Sequence, residues 1–300
     1  MNSKENHFTI SHFLTRLYGL RDYLALQRNY LNAPEWNENQ KQDNYLRKEE
    51  TLRAIVEENK SISRFGDGEL RLAFLQGNTV YEELSIKKAK SLQEVLNSRQ
   101  KDLIVGVNFY FMENIKWHLL RNVSTQLKKP DSYESIFSKD DILIYNRTRS
   151  RTELLKYWSL VEKRFSHNLY GEACVFRSGI FIEAYKEGRI EAIRKSLQKF
   201  FNAKSILLIC PQNSSLSLLD GKNLFAHGPW KSVRLSHIPI PPKNTFSLLN
   251  EVKVEISKVI QGHDLVLIQA GATGTILSHW ILQNYGIQAL DMGNFDWHML

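Results

Sequence analysis

Two carboxylates lie two residues apart in the segment SISRFGDGELRLAF, residues 61–74. Asp67 and Glu69 follow the run SISRF, whose pattern predicts a short strand. In an extended backbone, residues i and i+2 point the same way, so both carboxylates could face one ion. Hard divalent cations such as Mg²⁺ or Mn²⁺ prefer oxygen ligands of this kind and share them with substrate phosphates. Arg64, just upstream, would suit a bidentate phosphate contact.

The same segment has a second interpretation as a surface turn. Asp67 and Gly68 form a common turn pair. Glu69 could then begin the next helix, as a negative charge near its positive end. The residues alone leave a metal site and a turn both open.

A turn rich in small residues follows the apolar run in DLVLIQAGATGTILSHW, residues 264–280. Gly271, Thr273 and Gly274 lie between a predicted strand and a predicted helix, where backbone N–H groups attract phosphate. The turn has neither the dinucleotide-binding pattern nor the P-loop lysine. It therefore predicts a diphosphate-binding turn, or an ordinary strand-to-helix turn with Thr273 as N-cap.

Four further residues could contribute to a site. Asn244, in IPIPPKNTF, could hydrogen-bond a base or ribose or could cap a helix. Arg177, in ACVFRSG, could pair with an anion or neutralise a carboxylate. Asp291 and Asp296, in ALDMGNFDW, could act as a general base toward a sugar hydroxyl, as further metal-side ligands, or simply as solvated loop acids.

Composition sets the broad class of the protein. The 300 residues are 42% hydrophobic and carry a net charge of +8, which suits a globular protein with an anionic partner. No run of 18 uncharged apolar residues predicts a membrane span, and no basic and apolar leader predicts a signal peptide. Cys174 and Cys210 are therefore expected to be buried thiols in a reducing compartment. We expect a cytoplasmic protein that could lie peripherally at the inner face of the membrane.

The pattern along the chain predicts two parts. Residues 1–46 predict a helical extension, which packs on the main domain, on a partner chain or, as a basic amphipathic helix, on a membrane surface. Residues 47–300 alternate helices with short apolar strands, as in a Rossmann-like, doubly wound and mostly parallel α/β sheet. Helices are predicted over 47–60, 86–99, 151–165, 190–201, 244–261 and 273–285, and strands over 61–65, 102–107, 140–146, 205–211, 232–241, 264–271 and 287–292.

Several of these segments together resemble one family. SISRFGDGELRLAF, CVFRSGIF, IPIPPKNTF and LVLIQAGATGTILSHWILQNYGIQALDMGNFD occur in the order seen in the GT-D glycosyltransferases of bacterial surface-glycan and adhesin glycosylation systems. The resemblance covers about residues 47–297, and its most specific block is R-F-G-D-G-E. Asn294 stands where the family usually has the histidine of G-H-I-D.

The resemblance implies a metal-dependent transferase that uses a UDP-sugar and has Asp67 and Glu69 as its D-x-E motif. The expected reaction moves a hexose, most simply glucose or galactose, to a hydroxyl of a growing glycan on a protein or lipid carrier, with Mn²⁺ or Mg²⁺ as cofactor. Asp296, with Asp291 behind it, is the expected base. The residues expected to contact the nucleotide-sugar are Arg64, Asp67, Arg177, Asn244, Gly271, Thr273 and Gly274.

We expect a homodimer or other glycosyltransferases as protein partners, and no nucleic acid. Two other function classes remain open. A basic module could bind an anionic polymer or a membrane-associated partner without catalysis. A metal-dependent nucleotide phosphohydrolase could use the same residues and would consume a donor without any acceptor.

Overall fold

The computed structural model describes residues 44–75, 77–79, 81–107, 165, 167–173, 175, 188, 190–214, 217 and 233–293, and only the backbone of Asp67 and Ile190. All of these residues belong to one compact unit, Gln42–Glu113 with Lys156–Leu300. The predicted extension over residues 1–46 lies almost wholly outside the described residues, so the domain boundary after residue 46 stays a prediction. The strand predicted over 140–146 and nearly all of the helix predicted over 151–165 also lie outside them.

Seven strands of the described residues form one sheet in which every neighbouring pair is parallel. The strand order across the sheet is β3-β2-β1-β7-β6-β4-β5. The strands are β1 (Ser61–Phe65), β2 (Leu103–Val107), β3 (Leu169–Glu172), β4 (Ser205–Cys210), β5 (Arg234–Pro239), β6 (Leu265–Ile268) and β7 (Gln288–Asp291). The prediction of an α/β fold with a parallel sheet is confirmed.

Helices connect β1 to β2, β3 to β4, β5 to β6 and β6 to β7, as crossovers between parallel strands require. Numbered through the described residues, they are α1 (Lys48–Glu57), α2 (Asp67–Ala73), α3 (Ile86–Leu96), α4 (Ile190–Phe201), α5 (Leu249–Val259) and α6 (Ala272–Tyr285). Short 3₁₀ turns, Thr245–Leu248 and Ile260–Gly262, flank α5. The helix predicted over 190–201 has the predicted bounds.

The core lies on both faces of the central strands. All six residues of β4 and all four of β6 are buried, which explains their continuous apolar sequences. Helix α6 packs on β1 and β7, and its first seven residues are buried all round. Gly274 permits this close approach, because a Cβ there would lie 3.2 Å from Asp291 Oδ1. Cys210 is a buried thiol, as predicted, whereas Cys174 lies outside the described residues.

Two features of the sheet differ from the prediction. Strand β3 was not predicted, because only four residues, LYGE, pair with β2 and they include a glycine. The premise that Asp67 and Glu69 share one face of an extended backbone is wrong, because α2 begins at Asp67. Side chains two positions apart on a helix diverge by about 200°.

No helix among the described residues is long and apolar enough to cross a membrane.

Candidate active site

An open cleft of about 930 Å³ lies at the carboxyl edge of the sheet. The segments that follow β1, β3, β4, β5, β6 and β7 all contribute to its lining. Ligands of open α/β sheets bind at this edge, so the cleft is the candidate active site.

Arg64 and Asp291 form the charged floor of the cleft, although 227 residues separate them in sequence. Their Nη1 and Oδ1 atoms are 4.0 Å apart, and their side chains are 13% and 3% exposed. Arg64 Nε donates to the carbonyl of Ala173 at the end of β3. The guanidinium also occupies the space beside Gly293, where any Cβ would overlap Nη1. Arg64 is thus held from two sides, and within the described part of the chain its terminal nitrogens make no hydrogen bond.

Asp291 is held in place by three donors. Its Oδ2 accepts from Thr275 Oγ1 at 3.0 Å and from the Arg64 backbone N–H at 3.3 Å. Its Oδ1 accepts from the Gly293 backbone N–H at 3.2 Å. Burial raises the pKa of Asp291, while the charge of Arg64 and the hydrogen bonds act in the opposite direction. This carboxylate therefore fixes the floor of the cleft around Arg64.

Glu69 lines the cleft from the first turn of α2. Its Oε2 accepts from the Gly66 backbone N–H at 2.9 Å, which satisfies a donor at the helix start. Burial raises the pKa of Glu69 to about 6, with Arg64 lowering it and Asp291 raising it further. Glu69 thus acts as the helix-starting charge that the alternative interpretation predicted.

A buried ion pair anchors the segment that forms one wall of the cleft. Lys88 Nζ, in α3, donates to Glu82 Oε2 at 2.7 Å and to the Glu83 carbonyl at 2.6 Å. Thr273, in the first turn of α6, donates to the other oxygen, Glu82 Oε1, at 2.6 Å. Glu82 and Lys88 have side chains only 2% and 4% exposed. Three elements are therefore joined at one carboxylate.

The same wall is tied to the segment after β5. Asn244 adopts a left-handed conformation, with φ of 54°, and its backbone N–H donates to the Tyr81 carbonyl at 2.8 Å. Its side-chain Oδ1 accepts from the Glu83 backbone N–H at 3.1 Å. Thr79 Oγ1 closes the turn by accepting from the Glu82 N–H at 2.9 Å. Asn244 thus holds the wall from outside the cleft lining.

The predicted site residues fall into separate groups. Arg64, Glu69, Gly271 and Asp291 all line the cleft. Asn244, Thr273 and Gly274 do not line it; Thr273 and Gly274 are buried beneath it. The helix starts one residue earlier than predicted, with Gly271 rather than Thr273 as N-cap. The Asp67 side chain, Arg177 and Asp296 lie outside the described residues.

Sequence reasoning missed Tyr81, Glu82 and Lys88. None belongs to a chemical motif, and the contact between Glu82 and Thr273 spans 191 residues. The signal that could have found them was local: YEELSIKK places two acids and two lysines around the N-cap Ser85.

The described carboxylates offer few oxygen atoms to a divalent metal. No group of three His, Cys, Asp or Glu side chains able to hold a metal occurs among the described residues. Asp291 already accepts three hydrogen bonds, and Glu69 keeps only Oε1 for a ligand. Mg²⁺ commonly takes one or two carboxylates and completes its shell with phosphates and water. The Glu69 carboxylate fits that oxygen-rich donor set, the Asp67 side chain lies outside the described residues, and the metal remains a proposal.

An all-parallel sheet with a charged cleft at its carboxyl edge defines an open α/β protein. Residues 130–299, more than half of the chain, match the family described as "Glycosyltransferase GT-D fold". The chain belongs to this family of glycosyltransferases, whose substrates are a sugar donor and an acceptor.

Individual relatives agree with that assignment. Over 250 residues the chain is 24% identical to "Glycosyltransferase GlyD" of Streptococcus pneumoniae serotype 4 (strain ATCC BAA-334 / TIGR4). The match covers 83% of this chain but 26% of that protein, so the chain spans about a quarter of the relative's length.

Two solved structures share the fold. One is described as "The highly conserved domain of unknown function 1792 has a distinct glycosyltransferase fold", with TM-score 0.60, 22% identity and coverage of 84% of this chain and 78% of that one. The other is "A New Glycosyltransferase (DUF1792) from Streptococcus sanguinis", with TM-score 0.56, 19% identity and coverage of 83% and 80%. At these identities the likeness shows the fold alone.

Proposed function

We propose that this protein transfers a hexose, glucose or galactose, from a UDP-sugar to a hydroxyl of a growing glycan on a protein or lipid carrier. The observation that carries the proposal is Arg64, a largely buried cation at the floor of the cleft with terminal nitrogens available to a ligand. Membership of the glycosyltransferase family supplies the reaction class.

The departing diphosphate sets the main chemical demand. As the bond between the sugar C1 and the UDP oxygen breaks, negative charge builds on the diphosphate. A guanidinium held in advance, in a site partly shielded from water, stabilises that charge without reorganising. Ala173 and Asp291 supply this positioning, because they hold Arg64 from opposite sides. Gly271 has no side chain to block the approach of the donor to the start of α6.

The acceptor hydroxyl must lose its proton as its oxygen bonds to C1. Asp296 is the proposed base, and Asp291 is the alternative. The three hydrogen bonds to Asp291 favour a positioning role for that residue, which leaves the proton to Asp296. Arg177 is proposed to add positive charge near the phosphates.

Mn²⁺ or Mg²⁺ is the proposed cofactor. A divalent cation would neutralise diphosphate charge, and Asp67 and Glu69 would hold it. In this proposal Glu69 uses Oε1, because Oε2 starts α2.

Calorimetric titration of UDP, with Mn²⁺ and with EDTA, tests the proposal. Arg64→Ala and Asp67→Ala are the test variants. Arg194→Ala removes an arginine from the exposed ion pair with Glu191 and is the matched control. We expect UDP binding that requires metal, that both test variants abolish and that the control retains.

Turnover of UDP-glucose and UDP-galactose then separates the function classes. Release of UDP that rises with added acceptor supports a transferase, whereas formation of UMP and sugar 1-phosphate at the same rate with and without acceptor indicates a phosphohydrolase. Absence of UDP binding in every condition, with strongly salt-dependent binding to an anionic polymer, would indicate a binding module instead.

A further inference from the structure

The cleft is divided by charge. The charged lining residues are Arg64 and Asp291, at the ends of β1 and β7, Glu69 and Arg71 in α2, and Glu82, whose carboxylate is paired with Lys88. The segments after β4 and β5 contribute amide, hydroxyl and proline side chains, among them Gln212 and Ser214. A diphosphate fits the charged end, whereas the uncharged end suits a ring that carries hydroxyl groups.

Tyr81 is the aromatic residue of the cleft lining within the described residues. It is 51% exposed, so part of the side chain is accessible from solvent. The base of its side chain lies against Gly271, where an added Cβ would be 3.5 Å from the Tyr81 Cβ. The ring is therefore at the boundary between the cleft and the bulk solvent.

The backbone of Tyr81 is fixed although its ring is exposed. Its carbonyl accepts from Asn244 at 2.8 Å, and its N–H donates to Thr79 Oγ1 at 3.3 Å. The next residue, Glu82, is anchored by Lys88 and Thr273. An aromatic ring on a fixed backbone loses little entropy when a ligand stacks on it.

We propose that Tyr81 is a pyranose-stacking residue that binds the terminal sugar of the acceptor glycan. The proposal rests on the proposed function. The axial C–H groups of a pyranose form an apolar, slightly positive face that matches the negative face of an aromatic ring. The carrier of an acceptor must stay outside the cleft, so the acceptor sugar binds where the cleft meets solvent. The donor diphosphate occupies the charged floor instead.

Glu82 is the positioning residue in this arrangement. Its carboxylate contacts α3 and the start of α6 rather than the sugar. These contacts fix the position of Tyr81 relative to Gly271. Because these anchors are backbone and Glu82 contacts, truncation of the Tyr81 side chain leaves them in place.

Saturation-transfer NMR with methyl β-D-glucopyranoside and methyl β-D-galactopyranoside tests the stacking directly, beside calorimetry with UDP. The variants are Tyr81→Ala and Tyr81→Phe. Ile86→Ala is the matched control, since Ile86 is 66% exposed and lies outside the cleft lining. We expect Tyr81→Ala to weaken the glycoside signal about fivefold to tenfold. Tyr81→Phe and Ile86→Ala should keep it, and UDP affinity should change less than about twofold in all three.

Other outcomes overturn either this proposal or the proposed donor. A fall in UDP affinity in Tyr81→Ala would make Tyr81 a platform for the nucleobase. An unchanged glycoside signal in Tyr81→Ala, or no signal in the wild type, would show that no pyranose stacks there. The wild type could also give a glycoside signal that Tyr81→Ala loses and yet fail to bind UDP. That result would leave the sugar site standing and refute the donor proposal instead.

Discussion

Replacement of Lys88 by Met tests whether the buried ion pair holds the wall of the cleft. Met keeps the length and apolar stem of the side chain but removes the ammonium group. The carboxylate of Glu82 would then stay 2% exposed, with only the hydroxyl of Thr273 at 2.6 Å as a partner. The Glu83 carbonyl would also lose its donor.

The expected cost is large because the charge left behind is buried. Removal of one partner of a buried pair typically costs about 3–5 kcal/mol of unfolding free energy. At about 2–4 °C per kcal/mol for a protein of this size, a loss of 3 kcal/mol lowers the unfolding midpoint by about 6–12 °C. The other members of the network, Thr273 and Glu83, cannot neutralise the carboxylate.

Urea and thermal unfolding followed by circular dichroism measure this cost. Lys258→Met is the matched control, because Lys258 pairs with Glu255 on the surface, with side chains 59% and 55% exposed. That control should cost no more than about 0.5 kcal/mol. The double variant Glu82→Met/Lys88→Met should recover much of the loss, since paired apolar replacements of buried ions are often nearly neutral.

The reasoning would be refuted by a Lys88→Met loss below about 1 kcal/mol, or by one equal to that of the surface control. Either result would mean that the Glu82 carboxylate reaches water or another cation when Lys88 is removed.

Three further predictions concern the floor of the cleft. Gly293→Ala should place a Cβ onto Arg64 and strain a φ of 53°. UDP affinity measured by calorimetry should fall at least about tenfold, while unfolding free energy should fall by only about 1–2 kcal/mol. Unchanged UDP affinity would contradict the placement of Arg64. Glu69→Gln should remove a pH dependence of the unfolding free energy. Burial raises the Glu69 pKa from 4.5 to about 6. The contribution of Glu69 to stability is therefore most favourable below pH 4.5 and is lost as pH rises through 6, by about 2 kcal/mol at most. Urea unfolding of both proteins from pH 4 to 7 checks this, and parallel curves would refute it. Thr275→Val should remove the hydroxyl that bonds both the Arg64 carbonyl and Asp291 Oδ2 and lower unfolding free energy by about 1.5–3 kcal/mol. The matched control is Thr245→Val, whose hydroxyl bonds the Pro241 carbonyl.

The strands that were predicted well are those whose burial is complete. SILLIC and LVLI are almost wholly apolar because helices cover both faces of a parallel sheet. Such continuous apolar runs can be recognised from the sequence. LYGE was missed because this edge strand has only four residues and pairs through its backbone. Backbone pairing does not impose a recognisable pattern of apolar and polar side chains. The order of strands across the sheet likewise depends on pairings that no local pattern contains.

The site was predictable only in part, for a related reason. Arg64 and Asp291 lie at the ends of predicted strands and Glu69 follows one, so their convergence at one edge followed from the fold class. The geometry of the D-x-E triplet did not, because a helix starting at Asp67 replaced the expected extended backbone. The Glu82 anchor depends on a contact across 191 residues, and local sequence carries no information about it.

The position of β7 has a consequence for how the protein is made. This strand, the latest in sequence among the described strands, lies between β1 and β6 and joins β3-β2-β1 to β6-β4-β5. The two half-sheets therefore have no common hydrogen-bonded neighbour until residues 288–291 have left the ribosome. Arg64 is synthesised long before the carboxylate that holds it. A nascent chain that lacks β7 would expose two open sheet edges and an incomplete ligand site, so completion of the fold and acquisition of binding competence should occur in the same late event.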